Sequence, residues 1–506
     1  MTKRVLVVAL SVVFVMLTIV AVQAGTLAAP PAPGTAESFG AVQNTGTTLA
    51  NAVVTYYKLD GSVAATKQIT ISPKATQGIA PRLLDGTAQA LPSGYVGSVI
   101  VSADQDVVAV SYINWTGSAA AFGGDSKTSA DFGGVNAPST ALFFPSVSNS
   151  DGEASEVTIQ NADSTDAVAY LNYYDRNGVL ISAARQTSNV IKPGAQATFK
   201  LVDNTSLPAG FLGSVYVTST NQLAGVALVH WTVAYGSFGY NAESTTNGTT
   251  ALYFPKVLRR STSFSTPPGA CSTWFDYSGV VAQNLSGSAA ASVRVSFYDR
   301  TGALVTAFDD SIPALSSHGY NTRFNGNAPS ANMNALGCNF VGSVVITTTG
   351  TPIVGIHKYG DEADKWAGGY NGIPSVAGAN SLYFPYFYHT DPSYTPAPGT
   401  PSTWAQWTGL IVQNVDTAPV DVYVNVLDRS GATVLSVKDP TSIGIGSSHG
   451  FNSRYGGNLS AATFAALPQN FTGGAYITAT GKVVGVMSTW NPVFGGDINE
   501  TNGFGR

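Results

Sequence analysis

Four times the chain runs through one order of signals. An aliphatic residue precedes Gln-Asn, an alternating apolar strand follows, then an Asp/Gly turn, then a second strand opened by Gly. The copies are anchored at Val42-Gln43-Asn44, Ile159-Gln160-Asn161, Ala282-Gln283-Asn284 and Val412-Gln413-Asn414. Their turns are Asp60-Gly61, Asp175-Arg176-Asn177-Gly178, Asp299-Arg300-Thr301-Gly302 and Asp428-Arg429-Ser430-Gly431. Successive Gln residues lie 117, 123 and 130 positions apart, far above the roughly 20–50 residues of a solenoid repeat. Each copy is therefore long enough to bury a core of its own.

Within a copy the apolar period is two, as where Val293, Val295 and Phe297 alternate with Arg294 and Ser296. That period belongs to half-buried strands, and the Asp/Gly, Asn/Gly and Ser/Gly pairs between runs are hairpin turns. Helical signals are confined to a short stretch around residues 461–466. The fold class expected is all-β: four tandem immunoglobulin-like antiparallel β-sandwiches, each of six to eight strands. The expected boundaries are residues 37–140, 141–250, 251–380 and 381–506, after a leader over 1–24 and a Pro/Ala-rich linker over 25–36. Aromatic motifs Leu142-Phe143-Phe144-Pro145, Leu252-Tyr253-Phe254-Pro255 and Leu382-Tyr383-Phe384-Pro385 open copies two to four. Their rings are expected to divide between the core and the neighbouring unit. Trp115, Trp231, Tyr359 and Trp490 are read as one closing position. Short polar stretches at 136–140, 244–250 and 375–381 predict a semi-rigid string of beads.

Only 10% of residues are charged, against about 25% in an average domain. A net charge of −5 over 506 residues gives no reason to expect a nucleic-acid partner. Lys3 and Arg4 precede an apolar run ending at Val22-Gln23-Ala24, the pattern of an export leader cleaved after Ala24, with an uncleaved anchor as the alternative because the run is nearly long enough to span a bilayer. No Cys follows that run, so no lipid anchor is expected. The two cysteines, Cys271 and Cys338, both fall in the third copy. In an exported chain such a pair reads as a disulfide, and closing that loop restrains the unfolded chain by about 4 kcal/mol. Secretion or a cell-surface location is the expectation.

The run VQNTG…NAVVTYYKLDGSVAATKQITISPKA resembles the opening of the bacterial immunoglobulin-like modules of the CARDB kind found in exported surface proteins. The resemblance covers the first half of each copy. It implies a spacer or adhesion role and brings no catalytic residues.

Copies three and four share Ser316-Ser317-His318-Gly319-Tyr320-Asn321-Thr322-Arg323 and Ser447-Ser448-His449-Gly450-Phe451-Asn452-Ser453-Arg454. No carboxylate recurs at a fixed place to orient His318 or His449, so a hydrolytic triad is not expected. His and Arg (323 and 454) are read as turn caps packed on the adjacent sheet. The same copies carry Pro-rich insertions bearing Trp274, and Trp404 with Trp407. These rings would either stack on sugars or cover a sheet edge or domain junction. Asp361, Glu362 and Asp364 form the densest acidic group, without the oxygen spacing of a calcium loop. Seven Asn-x-Ser/Thr sequons, at Asn114, Asn204, Asn247, Asn284, Asn458, Asn470 and Asn499, are candidate glycosylation sites wherever exported chains are glycosylated. The sequence thus points to a non-enzymatic structural or adhesive surface protein without cofactor or metal. Its partners would be surface components or copies of itself, with polysaccharide binding through the three Trp residues as the alternative.

Overall fold

The computed structural model describes residues 6–10 (backbone alone), 35–79, 91–92, 94–116, 128–150, 152–231, 236–261, 271, 274–362, 366–391, 398–401, 403–491 and 498–506. The protein is all-β, built of antiparallel sheets. In unit 1 two four-stranded sheets make a sandwich-like pair of layers. In units 2 and 4 the layers join because one 21-residue strand, Phe211–Trp231 or Asn470–Trp490, runs through both. The period of two holds: Ala291–Asp299 alternates, with Val293, Val295 and Phe297 buried and Arg294 exposed. Burying such side chains contributes about 1.5–3 kcal/mol each. The helical stretch expected near 461–466 is a short turn of helix, Ala461–Phe464, and unit 3 carries another at Ser330–Ala335.

The recurrent Asn marks where the chain leaves one layer for the other. Asn284 is fully buried; its Nδ2 donates to the Ala289 and Ile312 carbonyls at 2.7 and 3.0 Å, and its Oδ1 accepts from Ser286 N at 2.8 Å. Asn44, Asn161 and Asn414 make the same three kinds of bond. One amide thus ties together a strand end, its following turn and a second strand. The neighbouring Gln reaches a turn carbonyl instead: Gln43 to Lys74, Gln160 to Gly194, Gln283 to Leu315 and Gln413 to Gly446. All four acceptor residues have positive φ, from 56° to 76°. Gly adopts that conformation freely, whereas Lys74 and Leu315 carry a strain of about 1–2 kcal/mol.

The units do not form a string of beads. Each ends in a strand that enters a common axis: β1 (Thr128–Gly133), β2 (Gly236–Asn241), β3 (Trp366–Asn371) and β4 (Ile498–Asn502). β1 packs on β2, β2 on β3, β3 on β4, and β4 back on β1, which closes a ring of four units. The cores are shared in the same cyclic sense. Val226 and Leu228 of unit 2 enter the core of unit 1, and Val281 and Ile356 of unit 3 enter that of unit 2. Ile411, Val484 and Val486 enter that of unit 3, and Ala41 and Val110 of unit 1 complete that of unit 4. Short linkers alone permit beads; strands buried on both faces, such as Asp276–Asn284 and Ile353–Asp361, exclude them.

The turn carbonyls just described also form the joints. Ser98 Oγ donates to Gly194 O, Ser214 Oγ to Leu315 O at 2.9 Å, and Ser343 Oγ to Gly446 O at 2.6 Å. At the closing joint Gly474 stands where the other units have Ser, and the C-terminal Arg506 reaches Thr45 O and Asp106 of unit 1 instead. The opening Leu-aromatic motifs pair with the Gly-opened second strand of each copy, as Leu142 with Val217, Leu252 with Ile346 and Leu382 with Ile477. Their inner rings Phe144, Phe254 and Phe384 lie in their own cores, while Phe143 and Tyr383 stack on Tyr216 and Tyr476 of the same unit. In unit 1 this place is taken by Leu6–Leu10, paired with Val99–Ala103. Over those residues the expected leader lies as an edge strand; 1–5 and 11–34 lie outside the described residues.

Candidate binding cleft between units 3 and 4

The shared Ser-Ser-His element serves the joints. Ser316 Oγ donates to the Asp175 carbonyl at 2.8 Å and Ser447 Oγ to the Asp299 carbonyl at 3.1 Å, each reaching the hairpin turn of the preceding unit. His318 bridges Asp310 Oδ2 (2.7 Å) and the Arg176 carbonyl (3.0 Å), and His449 Nδ1 lies 2.6 Å from Asp439 Oδ2. Both imidazoles therefore have a carboxylate, which the sequence concealed. Asp310 lies two residues before Ile312 and Asp439 four before its counterpart Ile443. Asp310 sits in the strand Leu304–Ile312, whereas Asp439 follows the strand Thr433–Lys438 and its Oδ1 accepts from Thr441 N in a turn, so the two carboxylates reach their imidazoles by different local routes. Burial works to raise the Asp310 carboxyl, but hydrogen bonds from His318 and Ser311 outweigh it and hold it below the usual range.

The four closing aromatics are not one structural position. Trp115 pairs with Ala36 and Trp231 with Glu153, each seven residues before the repeat's Gln. In unit 3 the residue in that register is Asp361, paired with Asp276. Trp490 is one residue earlier, paired with Trp407, in the register of Gly360 paired with Tyr277. A slip of one residue sends a side chain to the opposite face, and this reshapes a junction. Between units 2 and 3, Trp231 crosses over and stacks on Tyr277 at 6.3 Å, close to Gly360, where a Cβ would lie 2.7 Å from its ring. Between units 3 and 4, the ring on Trp407 comes from Trp490 of the same unit (5.8 Å, 8° between planes). With Asp361 in place of a bridging Trp, the rings of Tyr359 and Trp366 share a small apolar cluster with Trp490 and Ile498, and a cleft of about 1140 Å³ lies between units 3 and 4.

Trp404, Trp407, Trp490, Trp366, Tyr359 and Tyr455 supply its aromatic lining. Lys256 lies 4.2 Å from the Tyr359 centroid and 5.5 Å from that of Trp490, and Arg454 lies 4.4 Å from that of Trp407. Cation–π contacts of this kind contribute roughly 0.5–2 kcal/mol. Trp407 is buried within this ladder, and its Nε1 has no hydrogen-bond partner among the described residues. Trp404 is half-buried, and Tyr455 is 65% exposed. Trp274 belongs to the 2–3 junction, near Arg259, Arg323 and Tyr277. The three insertion Trp residues thus form no common platform; most of the insertions, residues 262–270 and 392–397, lies outside the described residues.

Four cations line the cleft: Lys256, Arg260, Arg300 and Arg454. Lys256 is paired with Glu500 and Arg260 with Asp276. Arg300 Nη1 donates to Asn458 Oδ1 at 3.2 Å, as Arg176 does to Asn327 at the preceding junction. Arg454 meets aromatic rings alone, among the described residues.

Below Lys256 lies the ring axis. Asp131 and Glu500 occupy corresponding axial positions, where units 2 and 3 have Gly239 and Gly369. Glu500 N donates to Asp131 Oδ1 at 2.7 Å. Burial pushes Asp131 up to about 7, since its partners Tyr386, Thr501 and the Glu500 amide are uncharged donors. Burial acts on Glu500 in the same direction, but Lys256 and His357 overcome it and hold the carboxyl down at about 2. Neither acid carries a signal in the sequence beyond being rare.

Cys271 and Cys338 are disulfide-bonded with Cα atoms 5.5 Å apart, beside Arg259. Asp361 accepts from Tyr359 OH and Glu362 pairs with Arg323, while Asp364 lies outside the described residues. No His/Cys/Asp/Glu cluster suited to a metal occurs among the described residues. The sequon residues Asn204, Asn284 and Asn499 are buried, and Asn114, Asn247, Asn458 and Asn470 are half-buried. Asn284 in particular has its amide nitrogen committed inside the fold, so a glycan there would require the unit to open.

No family model and no curated protein matches the chain. Among solved structures it is similar to Thermotoga maritima 1070, with 14% identity over 21% of this chain and 94% of that one, at a TM-score of 0.18. The Anabaena sensory rhodopsin transducer gives 12% identity over 21% of this chain and 94% of that one, at 0.17. The pilus adhesin SpaC from Lactobacillus rhamnosus GG gives 10% identity over 92% of this chain and 55% of that one, at 0.10.

Proposed function

We propose that the chain is an exported, non-enzymatic adhesive protein, a rigid ring of immunoglobulin-like units that holds a saccharide chain of a surface or matrix in the cleft between units 3 and 4. The observation that carries this reading is the cleft itself, about 1140 Å³ with Trp and Tyr rings on both walls and polar groups of Asn452 and Arg454 among them. Flat apolar rings beside fixed polar groups suit the apolar faces and hydroxyls of a pyranose. Trp404, Trp366 and Tyr455 offer the contact surface, because Trp407 and Trp490 are occupied by each other. The disulfide supports an oxidising compartment. The imidazoles support a binding rather than a hydrolytic role, since His318 is held between Asp310 and a backbone carbonyl.

The test is equilibrium binding to a polysaccharide panel, with wild type beside Trp404→Ala/Tyr455→Ala and the 2–3 junction control Trp274→Ala. The expected result is saturable binding weakened at least about tenfold in the double variant, a loss of roughly 1.4 kcal/mol, and unchanged in the control. Absence of binding to every saccharide would remove the reading.

A further inference from the structure

The preceding junction is an internal template for what the cleft lacks. Arg323 and Arg454 occupy the same place in the repeated element, four residues after Gly319 and Gly450. Both guanidinium groups lie over rings of their own unit. Arg323 meets Tyr277 and Phe324 at 5.1 and 4.5 Å, and Arg454 meets their counterparts Trp407 and Tyr455 at 4.4 and 4.8 Å. Their electrostatic surroundings differ in one respect. Arg323 is paired with the Glu362 carboxylate, whereas Arg454 has no carboxylate partner among the described residues. The other cations of the cleft are accounted for. Lys256 and Arg260 are paired, and Arg300 repeats the architectural bond of Arg176.

We infer that the cleft between units 3 and 4 selects a carboxylated sugar, a uronic acid residue within a saccharide chain, whose carboxylate takes on Arg454 the place that Glu362 takes on Arg323. This rests on the saccharide-binding reading above and specifies its ligand. A guanidinium resting against aromatic rings, whose faces accept no hydrogen bond in a fork, leaves N–H donors for a carboxylate. The carboxylate brings Arg454 the partner it lacks among the described residues, and the pyranose ring brings an apolar face to Trp404. No covalent step is involved.

The experiment titrates the full chain with oligogalacturonide and with the same oligomer after methyl esterification, by calorimetry at low and physiological salt. Variants are Arg454→Gln, Arg454→Lys and, as control, Arg323→Gln, each checked for an unchanged melting profile. The acid form is expected to bind wild type about 10- to 100-fold more tightly than the ester, as a charge-assisted pair implies. Arg454→Gln should abolish that difference, Arg454→Lys should keep a fraction of it, and Arg323→Gln should leave it intact. Acid and ester binding equally well, with Arg454→Gln indifferent, would overturn the carboxylate inference and leave saccharide binding standing. Binding of neither form, nor of any other saccharide, would remove both.

Discussion

Asn284→Ala is expected to lower the stability of the chain by roughly 3–5 kcal/mol, the sum of several lost hydrogen bonds and the buried groups they leave unpaired. The side chain is fully buried and ties three backbone groups from three segments. Alanine removes three hydrogen bonds, each worth about 0.5–1.5 kcal/mol net, and leaves the Ala289 and Ile312 carbonyls and the Ser286 amide without that partner. Nothing apolar is gained to offset this, because the pocket is shaped by backbone. Asn284→Asp should be nearly as severe, since a carboxylate would replace a donor facing carbonyl oxygens. Equilibrium denaturation followed by tryptophan fluorescence measures it, with Ser288→Ala, at an exposed position of the following turn, as the control. A loss below about 1 kcal/mol for Asn284→Ala, less than a single typical hydrogen bond, would show that the repeated Gln-Asn does not hold the layers together.

Glu500→Gln comes second, at about 3–5 kcal/mol, the usual cost of breaking a buried ion pair from one side. Lys256, 7% exposed, would be left buried without its anion. The pH dependence separates this from simple loss of packing. A depressed carboxyl contributes stability that is present above its unfolded value near 4.5 and is lost as pH falls toward about 2. The difference between wild type and Glu500→Gln should therefore be full above about pH 5 and shrink as the solution is acidified below it. Asp131 has the opposite sign. Its carboxyl is raised from 3.8 to about 7 by burial, so its contribution is present below 3.8 and lost as pH rises through 7. Asp131→Asn should accordingly flatten the loss between 3.8 and about 7, a window in which Glu243, also raised from 4.5 to about 7 by burial, keeps part of it. Melting temperatures from about pH 3 to about pH 8 for the three proteins decide both signs. A wild-type-minus-Glu500→Gln difference that stays constant across that range would show that the Lys256–Glu500 pair does not hold the axis together.

The four Gln-Asn anchors, the Asp/Gly hairpins and the alternation of Val293, Val295 and Phe297 were legible because each is a local signal. Its meaning lies within a few residues of chain, in a turn or on one strand face. The disulfide was legible because the chain holds only one pair of cysteines. What local signals leave open is which faces meet. Asp131 and Glu500 touch across 369 positions and Tyr112 and Tyr388 across 276, and no periodicity announces such contacts. The carboxylates of His318 and His449 share no common spacing in the chain, because Asp310 is held by a strand and Asp439 by the turn that follows one. The cleft depends on a one-residue register difference between Trp231 and Trp490, which reads as near-identity in sequence and as opposite faces in a strand. By itself, then, the sequence determined the all-β class, its alternating strands and its turns of Asn and Gly, since these follow from backbone chemistry of neighbouring residues. The tertiary structure alone decided that the units close into a ring and that one of its junctions stays open, because those outcomes depend on how side chains distant in the chain fill, or fail to fill, a shared space.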